Sequence, residues 1–106
     1  MTQVVLIFTT VPDGDLGRHI ARTLIDEGLA ACVNIHGPMT SIYRWRGRVE
    51  EETERQLVIK TTVTKVEAVR ARTGQLHSYD LPEFLVVPVA DGSKEYLDWV
   101  FDAVSA

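Results

Sequence analysis

The residues best suited to chemistry lie in one polar stretch of the C-terminal half. His77 is followed within six residues by Tyr79, Asp80 and Glu83. An imidazole beside carboxylate oxygens is a partial ligand set for a borderline divalent cation such as copper or zinc. Ligands from elsewhere, for example from a neighbouring subunit, would have to complete such a site. The stretch therefore makes His77 and Glu83 candidate metal ligands, and an ordinary polar loop is the alternative interpretation.

His77 and Glu83 also fit two other roles. In an enzyme, His77 could act as a general base that Glu83 orients, provided that the fold brings the two side chains together. In a structural role, Glu83 could pair with Lys60, which follows an apolar strand segment at residues 57–59. A lysine in such a strand is costly unless its ammonium group reaches solvent or a carboxylate. Glu83 is the first partner that we expect for Lys60.

The sequence contains none of the standard enzyme signatures. It has no Gly-x-Ser-x-Gly elbow, no phosphate-binding loop and no dinucleotide fingerprint. Its single cysteine, Cys32, lies in an apolar run, where a free thiol usually behaves as a small buried hydrophobe. One cysteine also excludes an internal disulfide and a multi-thiolate zinc site within one chain. We predict that the protein is not an enzyme and requires no cofactor.

Residues 41–62 are predicted to form a long β-hairpin that carries two aromatic residues. Tyr43 and Trp45 share one strand face, because side chains alternate with a period of two. Gly47 supplies the turn, and each arm can run for more than ten residues. Opposite charges on the two arms suit cross-strand pairing, and we interpret the glutamates as a solvated face. We interpret Tyr43 and Trp45 as anchors of a subunit interface, with a ligand-stacking platform as the alternative.

The order of the predicted elements indicates an α+β fold. Three apolar runs have the composition of strands that are covered on both faces. They lie at residues 4–8, 29–35 and 84–90. A stripe of apolar residues marks the first helix and a capping box marks the second. The stripe consists of Leu16, Ile20 and Leu24, and the box of residues 64–67.

With the hairpin and a C-terminal helix, these elements make residues 1–106 one ferredoxin-like domain. Its βαββαβ order predicts an antiparallel sheet with two helices on one face, a long central hairpin and an extra C-terminal helix. The C-terminal helix can cover part of the second face, but not the hairpin as well. Another copy of the chain is the simplest cover for the remainder, so we predict a homo-oligomer.

Composition narrows the classes of partner. The chain has 106 residues, of which 45% are hydrophobic and 25% are charged, as is ordinary for a soluble globular domain. Its net charge of −4 offers no electrostatic footprint for nucleic acid. No apolar run approaches the ~20 residues of a membrane span, and no signal-peptide pattern opens the sequence. We expect a cytoplasmic protein without nucleic-acid or membrane partners.

Five segments together resemble the CutA divalent-cation tolerance family. They are Ala30-Ala31-Cys32-Val33-Asn34-Ile35, Ser41-x-Tyr43-x-Trp45-x-Gly47, Ile59-Lys60-Thr61, His77-x-Tyr79-x-x-Pro82-Glu83 and Tyr96-Leu97-x-Trp99. The resemblance implies a ferredoxin-like homotrimer, similar in plan to the PII signalling proteins, with the long hairpins packed across subunit boundaries. It also implies a link to divalent-metal tolerance, with copper binding proposed for some members.

The resemblance places six residues in the family's inter-subunit cleft. They are Tyr43, Trp45, Lys60, His77, Tyr79 and Glu83. The family's His-Pro-Tyr is His-Ser-Tyr at residues 77–79 here, which removes a fixed φ angle from the loop. Thr9 and Leu76 stand where copper-binding members can carry a thiol and an extra histidine. These departures weaken the case for a high-affinity copper site.

Two functions are compatible with this resemblance. The first is a homotrimeric divalent-cation tolerance protein that binds a divalent cation such as copper or zinc weakly, through His77 and Glu83. The second is a PII-like regulatory module that holds a small anionic ligand in the inter-subunit cleft, with Lys60 as the charge partner.

Overall fold

The computed structural model describes residues 2–105, which form a four-stranded antiparallel sheet and three α-helices. The strands are β1 (Val4–Pro12), β2 (Cys32–Trp45), β3 (Arg48–Thr62) and β4 (Leu85–Pro88). The helices are α1 (Leu16–Asp26), α2 (Val66–Leu76) and α3 (Lys94–Val104). The strand order is β2-β3-β1-β4, with both neighbours of β1 and of β3 antiparallel. The predicted α+β, ferredoxin-like fold is confirmed.

The hydrophobic core lies between one face of the sheet and helices α1 and α2. Ile7 of β1 stands opposite Ile59 of β3, and both are fully buried. Ile20 and Leu24 of the predicted α1 stripe are buried against them, together with Val69 of α2. Alternation along each strand therefore sends one set of side chains into this core and the other set to the opposite face.

The opposite face is covered only in part. Helix α3 packs over one end of it, where Val100 and Val104 are buried. Strand β4 is exposed along its whole length in the single chain, so the burial of residues 84–90 on both faces stays a prediction about the assembly. That strand is also shorter than predicted. The strand predicted from residue 29 begins at Cys32, because the amides of Leu29 and Ala30 still bond to the Leu24 carbonyl at the end of α1.

Strands β2 and β3 form the long hairpin that the sequence predicts, with arms of 14 and 15 residues. Arg46 and Gly47 make the two-residue turn, with φ angles of 51° and 78°, as expected for a turn that matches the twist of its strands. The predicted ion pairs between the two arms do not form. Arg44 stands opposite Val49, and the four ion pairs of the described residues all lie elsewhere.

A β-bulge divides β2 into two parts. His36 pairs with Gln56, but the next pair is Met39 with Glu54, so residues 37 and 38 oppose a single residue of β3. The extra residue shifts the alternation of β2 by one position. Beyond the bulge, odd-numbered residues of β2 therefore share a face with even-numbered residues of β3. The Gly37–Pro38 peptide bond at this point is cis.

The predicted capping box does not begin α2. Residues Val63–Lys65 form a 3₁₀ turn before the helix, and no side chain caps it. The hydroxyl of Thr64 instead lies 3.0 Å from the hydroxyl of Thr62. The capping-box pattern predicts that the Thr64 side chain bonds to backbone amides of α2, but it bonds to the hydroxyl of Thr62 instead.

Candidate functional site

A groove of about 930 Å³ runs between the distal hairpin and the loop that follows α2. Tyr43 and Trp45 of β2 line the hairpin side, and Tyr79 lines the loop side. Five carboxylates of the described residues also line it. They belong to Glu50, Glu52, Glu54, Asp80 and Glu83. The groove is therefore both aromatic and acidic.

His77 fixes the loop to the sheet. Its Nε2 lies 2.7 Å from the carbonyl oxygen of Thr10, and its Nδ1 accepts a hydrogen bond of 3.1 Å from the amide of Tyr79. A ring whose Nδ1 accepts must carry its proton on Nε2, so Nε2–H donates to Thr10. Both ring nitrogens are thus used by the backbone. Ligation of a metal by His77 stays a prediction, and it would require one of these bonds to open.

Glu83 is held by a glutamine of the central sheet. The side-chain amide of Gln56 donates to Oε2 of Glu83 at 2.8 Å and to the carbonyl oxygen of Thr9 at 2.9 Å. Neither His77 nor Lys60 is a hydrogen-bond partner of Glu83 within the described chain. The ion pair expected with Lys60 is therefore absent from residues 2–105. The arrangement in which Glu83 would orient a His77 general base does not form there either.

Glu54 is the residue that sequence reasoning missed. The sequence pattern predicts it as part of a solvated acidic face, yet it is only 7% exposed. The hydroxyl of Tyr79 donates a hydrogen bond of 2.7 Å to its Oε2. Burial, this hydrogen bond and the nearby negative charge raise the pKa of Tyr79 well above its usual value, so the hydroxyl stays protonated at neutral pH. The position of Glu54 opposite Met39, next to the bulge, is not visible in the sequence pattern.

Removing the Tyr79 hydroxyl should destabilise the protein. In Tyr79→Phe the largely buried carboxylate of Glu54 loses its donor, and we expect a loss of about 1–3 kcal/mol in the free energy of unfolding. Urea unfolding at a fixed protein concentration measures the loss. Tyr96→Phe is the matched control, because the Tyr96 side chain is exposed and its hydroxyl bonds to none of the described residues. Equal stability of the two variants would contradict the role given to the Tyr79–Glu54 bond.

Tyr43 and Trp45 stand on the hairpin face that carries Glu50, Glu52 and Glu54. Tyr43 pairs directly with Glu50 and is 41% exposed, and Trp45 is 37% exposed. Partial burial and the negative charges of Glu52, Glu54 and Glu50 raise the pKa of Tyr43. The two aromatic rings thus lie beside a row of carboxylates, with part of their surface free.

Lys60 lies in a different place. It lines a second cavity of about 250 Å³ beneath α3, and its Nζ is 5.8 Å from the centre of the Tyr96 ring. Of the six residues that the resemblance places in the cleft, four line the groove, His77 supports the loop behind it, and Lys60 is outside it within one chain. The groove walls of the described chain contain no lysine or arginine.

The groove is not a preformed metal centre. Among residues 2–105, no group of three or more His, Cys, Asp or Glu side chains is arranged to hold a metal ion. Cys32 is half-buried on β2 opposite Lys60, away from the groove. None of the helices in the described part of the chain is long and apolar enough to cross a membrane.

Comparison with known proteins identifies the family. The family model described as CutA1 divalent ion tolerance protein matches residues 5–103. The chain belongs to the CutA1 family. The divalent-cation tolerance protein CutA of Thermus thermophilus is 48% identical over 100 residues, which cover 94% of this chain and 95% of that protein. The chloroplastic CutA of Arabidopsis thaliana is 36% identical over 96 residues, 91% of this chain, and the match spans about half (53%) of that longer protein.

Solved structures of CutA proteins share the fold. CutA from Xylella fastidiosa superposes with a TM-score of 0.94 at 43% identity, covering 97% of this chain and 99% of that one. The PII-like CutA protein from Nostoc, in its apo form, gives a TM-score of 0.88 at 37% identity, covering 94% and 96% of the two chains. The resemblance to the CutA family and the PII-like plan predicted from the sequence are confirmed. The CutA1 family is described by tolerance of divalent ions and not by an enzymatic reaction.

Proposed function

We propose that the protein is a homotrimeric divalent-cation tolerance protein that binds divalent cations weakly and catalyses no reaction. The acidic groove carries this proposal, because it gathers five carboxylates and no basic side chain of the described residues lines it. Such a surface attracts cations and repels anions. A small anionic ligand is correspondingly disfavoured in this groove, and Lys60 lies too far from it within one chain to compensate.

The predicted weakness of binding has a structural basis. Carboxylate oxygens suit hard cations such as magnesium and calcium, whereas copper and zinc favour an imidazole. Each hydrogen bond of the His77 ring would compete with metal ligation. The described residues also lack a cluster of three or more ligands, so a bound ion would keep waters or take ligands from a neighbouring subunit.

The exposed part of the sheet supports assembly into a trimer. Leu85 and Val87 of β4 are exposed apolar residues on the face that α3 leaves open, and Tyr43 and Trp45 are half-exposed on the hairpin. The molecule is 44 Å long and only 26 Å and 22 Å across, so the hairpin extends well beyond the core. A neighbouring copy would cover these surfaces, and the groove would then become part of a cleft between subunits.

Titration calorimetry with copper, zinc and magnesium tests this function. We expect weak binding by the wild type, with a dissociation constant of about 0.1–1 mM, as in other weak carboxylate sites. Glu83→Gln should weaken binding about two- to fivefold, since one partly screened carboxylate is worth up to about 1 kcal/mol. The His77→Ala variant distinguishes metal ligation by His77 from its support of the loop. If His77 is a ligand, the variant should lose affinity for copper and zinc but not for magnesium.

His19→Ala is the matched control, since His19 lies exposed on α1, outside the groove. Identical isotherms for the wild type and His77→Ala would exclude His77 as a ligand. Absence of heat with all three ions at millimolar concentration would overturn the proposed binding.

A further inference from the structure

Helix α3 carries an exposed aromatic pair that is flanked by carboxylates. Tyr96 and Trp99 are both about half exposed, and their ring centres lie 5.6 Å apart. Glu95 precedes Trp99 by four residues and Asp102 follows it by three, so both carboxylates are neighbours of this indole on the helix surface. Neither carboxylate forms an ion pair with another of the described residues. Exposed aromatic surface with a charged rim is typical of a protein–protein interface.

The tip of the hairpin has the complementary composition. Trp45 stands directly opposite Arg48 across the turn, and the guanidinium carbon of Arg46 lies 5.3 Å from the centre of the Trp45 ring. Both arginines are exposed, and neither forms an ion pair with another residue of the described chain. The tip therefore presents an indole beside two cations, whereas α3 presents an indole beside two anions.

The tip cannot reach α3 of its own chain. Helix α3 packs on β1 and β3, and Tyr96 lies beside Lys60 near the end of β3. Arg48 is the first residue of β3, and the strand from Arg48 to Lys60 spans about 40 Å when extended. This distance is nearly the whole 44 Å length of the molecule. In an assembly of this chain, the tip can therefore contact only the α3 of another copy.

We infer that the hairpin tip of one copy docks on helix α3 of a second copy. Trp45 packs against the Tyr96–Trp99 pair, and the two arginines of the tip lie beside the two carboxylates of α3. This inference rests on the proposed function, because it names the surface that covers Trp45 in the proposed trimer. The tip and α3 are different surfaces, so three copies that each donate one tip and receive another close a ring. The aromatic rings supply affinity, and the opposite charges select the partner and its orientation.

Cross-linking between introduced cysteines tests the contact. In a Cys32→Ser background, Arg48→Cys and Asp102→Cys together place one thiol on the tip and one on α3. A short bismaleimide linker should then join neighbouring copies, so that covalent dimers and trimers appear on a denaturing gel. Each cysteine alone should leave the chains uncoupled, because a tip meets no other tip in such a ring. Arg48→Cys with Ile25→Cys is the matched control, since Ile25 is exposed on α1, across the sheet from α3.

Charge reversal tests the pairing of the arginines with the carboxylates. Arg48→Glu should lower the association constant of the trimer about ten- to a hundredfold, because an exposed pair contributes about two- to fivefold and the ring contains three contacts. Asp102→Arg or Glu95→Arg, added to this variant, makes the charges attract again, and at least one of them should restore most of the loss. Arg44→Glu is the matched control: it changes the net charge equally, but Arg44 pairs with Val49 on the other face of the hairpin. Sedimentation over a range of concentrations measures the assembly of each variant.

The possible outcomes separate the inference from the proposed function. If the wild type is a trimer but the tip and α3 thiols cross-link no better than the control pair, the inference alone fails. If Arg44→Glu weakens assembly as much as Arg48→Glu does, or if neither second reversal restores it, the attraction is a general effect of net charge and the inference is overturned. If the wild type is a monomer, both the inference and the proposed trimer fail.

Discussion

Leu85→Glu is expected to convert the proposed trimer into smaller species and to lower the melting temperature. Leu85 is 56% exposed in the single chain and lies opposite Phe8, on the sheet face that α3 leaves open. In an isolated chain, a charge at so exposed a position should change the free energy of unfolding by no more than about 0.5 kcal/mol. If a neighbouring subunit covers Leu85, the same charge is buried without a partner, at a cost of several kcal/mol per subunit.

Sedimentation over a range of concentrations measures the effect. The wild type should have three times the 11.9 kDa mass of the chain, and the variant a lower mass at the same concentration. Val63→Glu is the matched control, because Val63 is 54% exposed but lies on the 3₁₀ turn before α2. The control should keep the mass of the wild type. An unchanged mass for Leu85→Glu, or a monomeric wild type, would contradict the proposed assembly.

Dilution of the wild type gives an independent measurement of the link between folding and assembly. If folding and assembly are linked, the melting temperature falls as the protein concentration falls. A melting temperature that is independent of concentration, together with a folded monomer at low concentration, would show that a single chain is stable alone.

Gly37→Ala is expected to lower the free energy of unfolding by about 2–4 kcal/mol. Gly37 has a φ angle of 117°, which side chains rarely adopt. An added Cβ would lie 3.0 Å from the carbonyl oxygen of Glu54 and 3.3 Å from Cα of Arg55. Both neighbours are backbone atoms of β3, so neither can move without disturbing the hairpin. Strain and close contact therefore add to one another at this position.

Gly74→Ala is the matched control and should have the opposite sign. Gly74 lies inside α2 with an ordinary φ angle, and an added Cβ would meet no atom within 4 Å. Alanine should stabilise the helix there by up to about 1 kcal/mol. Urea unfolding of both variants at one protein concentration makes the comparison, and a similar loss in both would contradict the account of Gly37.

Local signals explain why most of the fold could be predicted from the sequence. The spacing of Ile20 and Leu24 predicts a buried helix face without information on what packs against it. Both residues are buried. The turn at Gly47 needed only the glycine between two arms of strand composition. Gly28, two residues after the end of α1, has a φ angle of 71°, which favours glycine. In each case, the physical cause lies within a few residues of its effect.

Register and distance could not be predicted in the same way. Glu83 contacts Gln56 on β3. Lys60 lies four residues further along the same strand, so it is on the same sheet face as Gln56 but about 13 Å from it. The sequence shows that Glu83 and Lys60 both lie in or near strands, but it does not show at which end of the sheet each residue lies. Glu54 shows the same limit, since its burial depends on the Tyr79 loop and on pairing beyond the bulge. These contacts join segments that are distant in the chain.

The bulge at residues 37 and 38 also sets the sign of the electrostatic potential in the groove. If residues 37 and 38 each paired with one residue of β3, every later residue of β2 would slip by one position, and Arg44 would stand among the glutamates in place of Tyr43 and Trp45. The hairpin would then neutralise its own acidic row. The bulge thus keeps a cation-attracting surface on a hairpin whose sequence, in the regular register, would present a more neutral one.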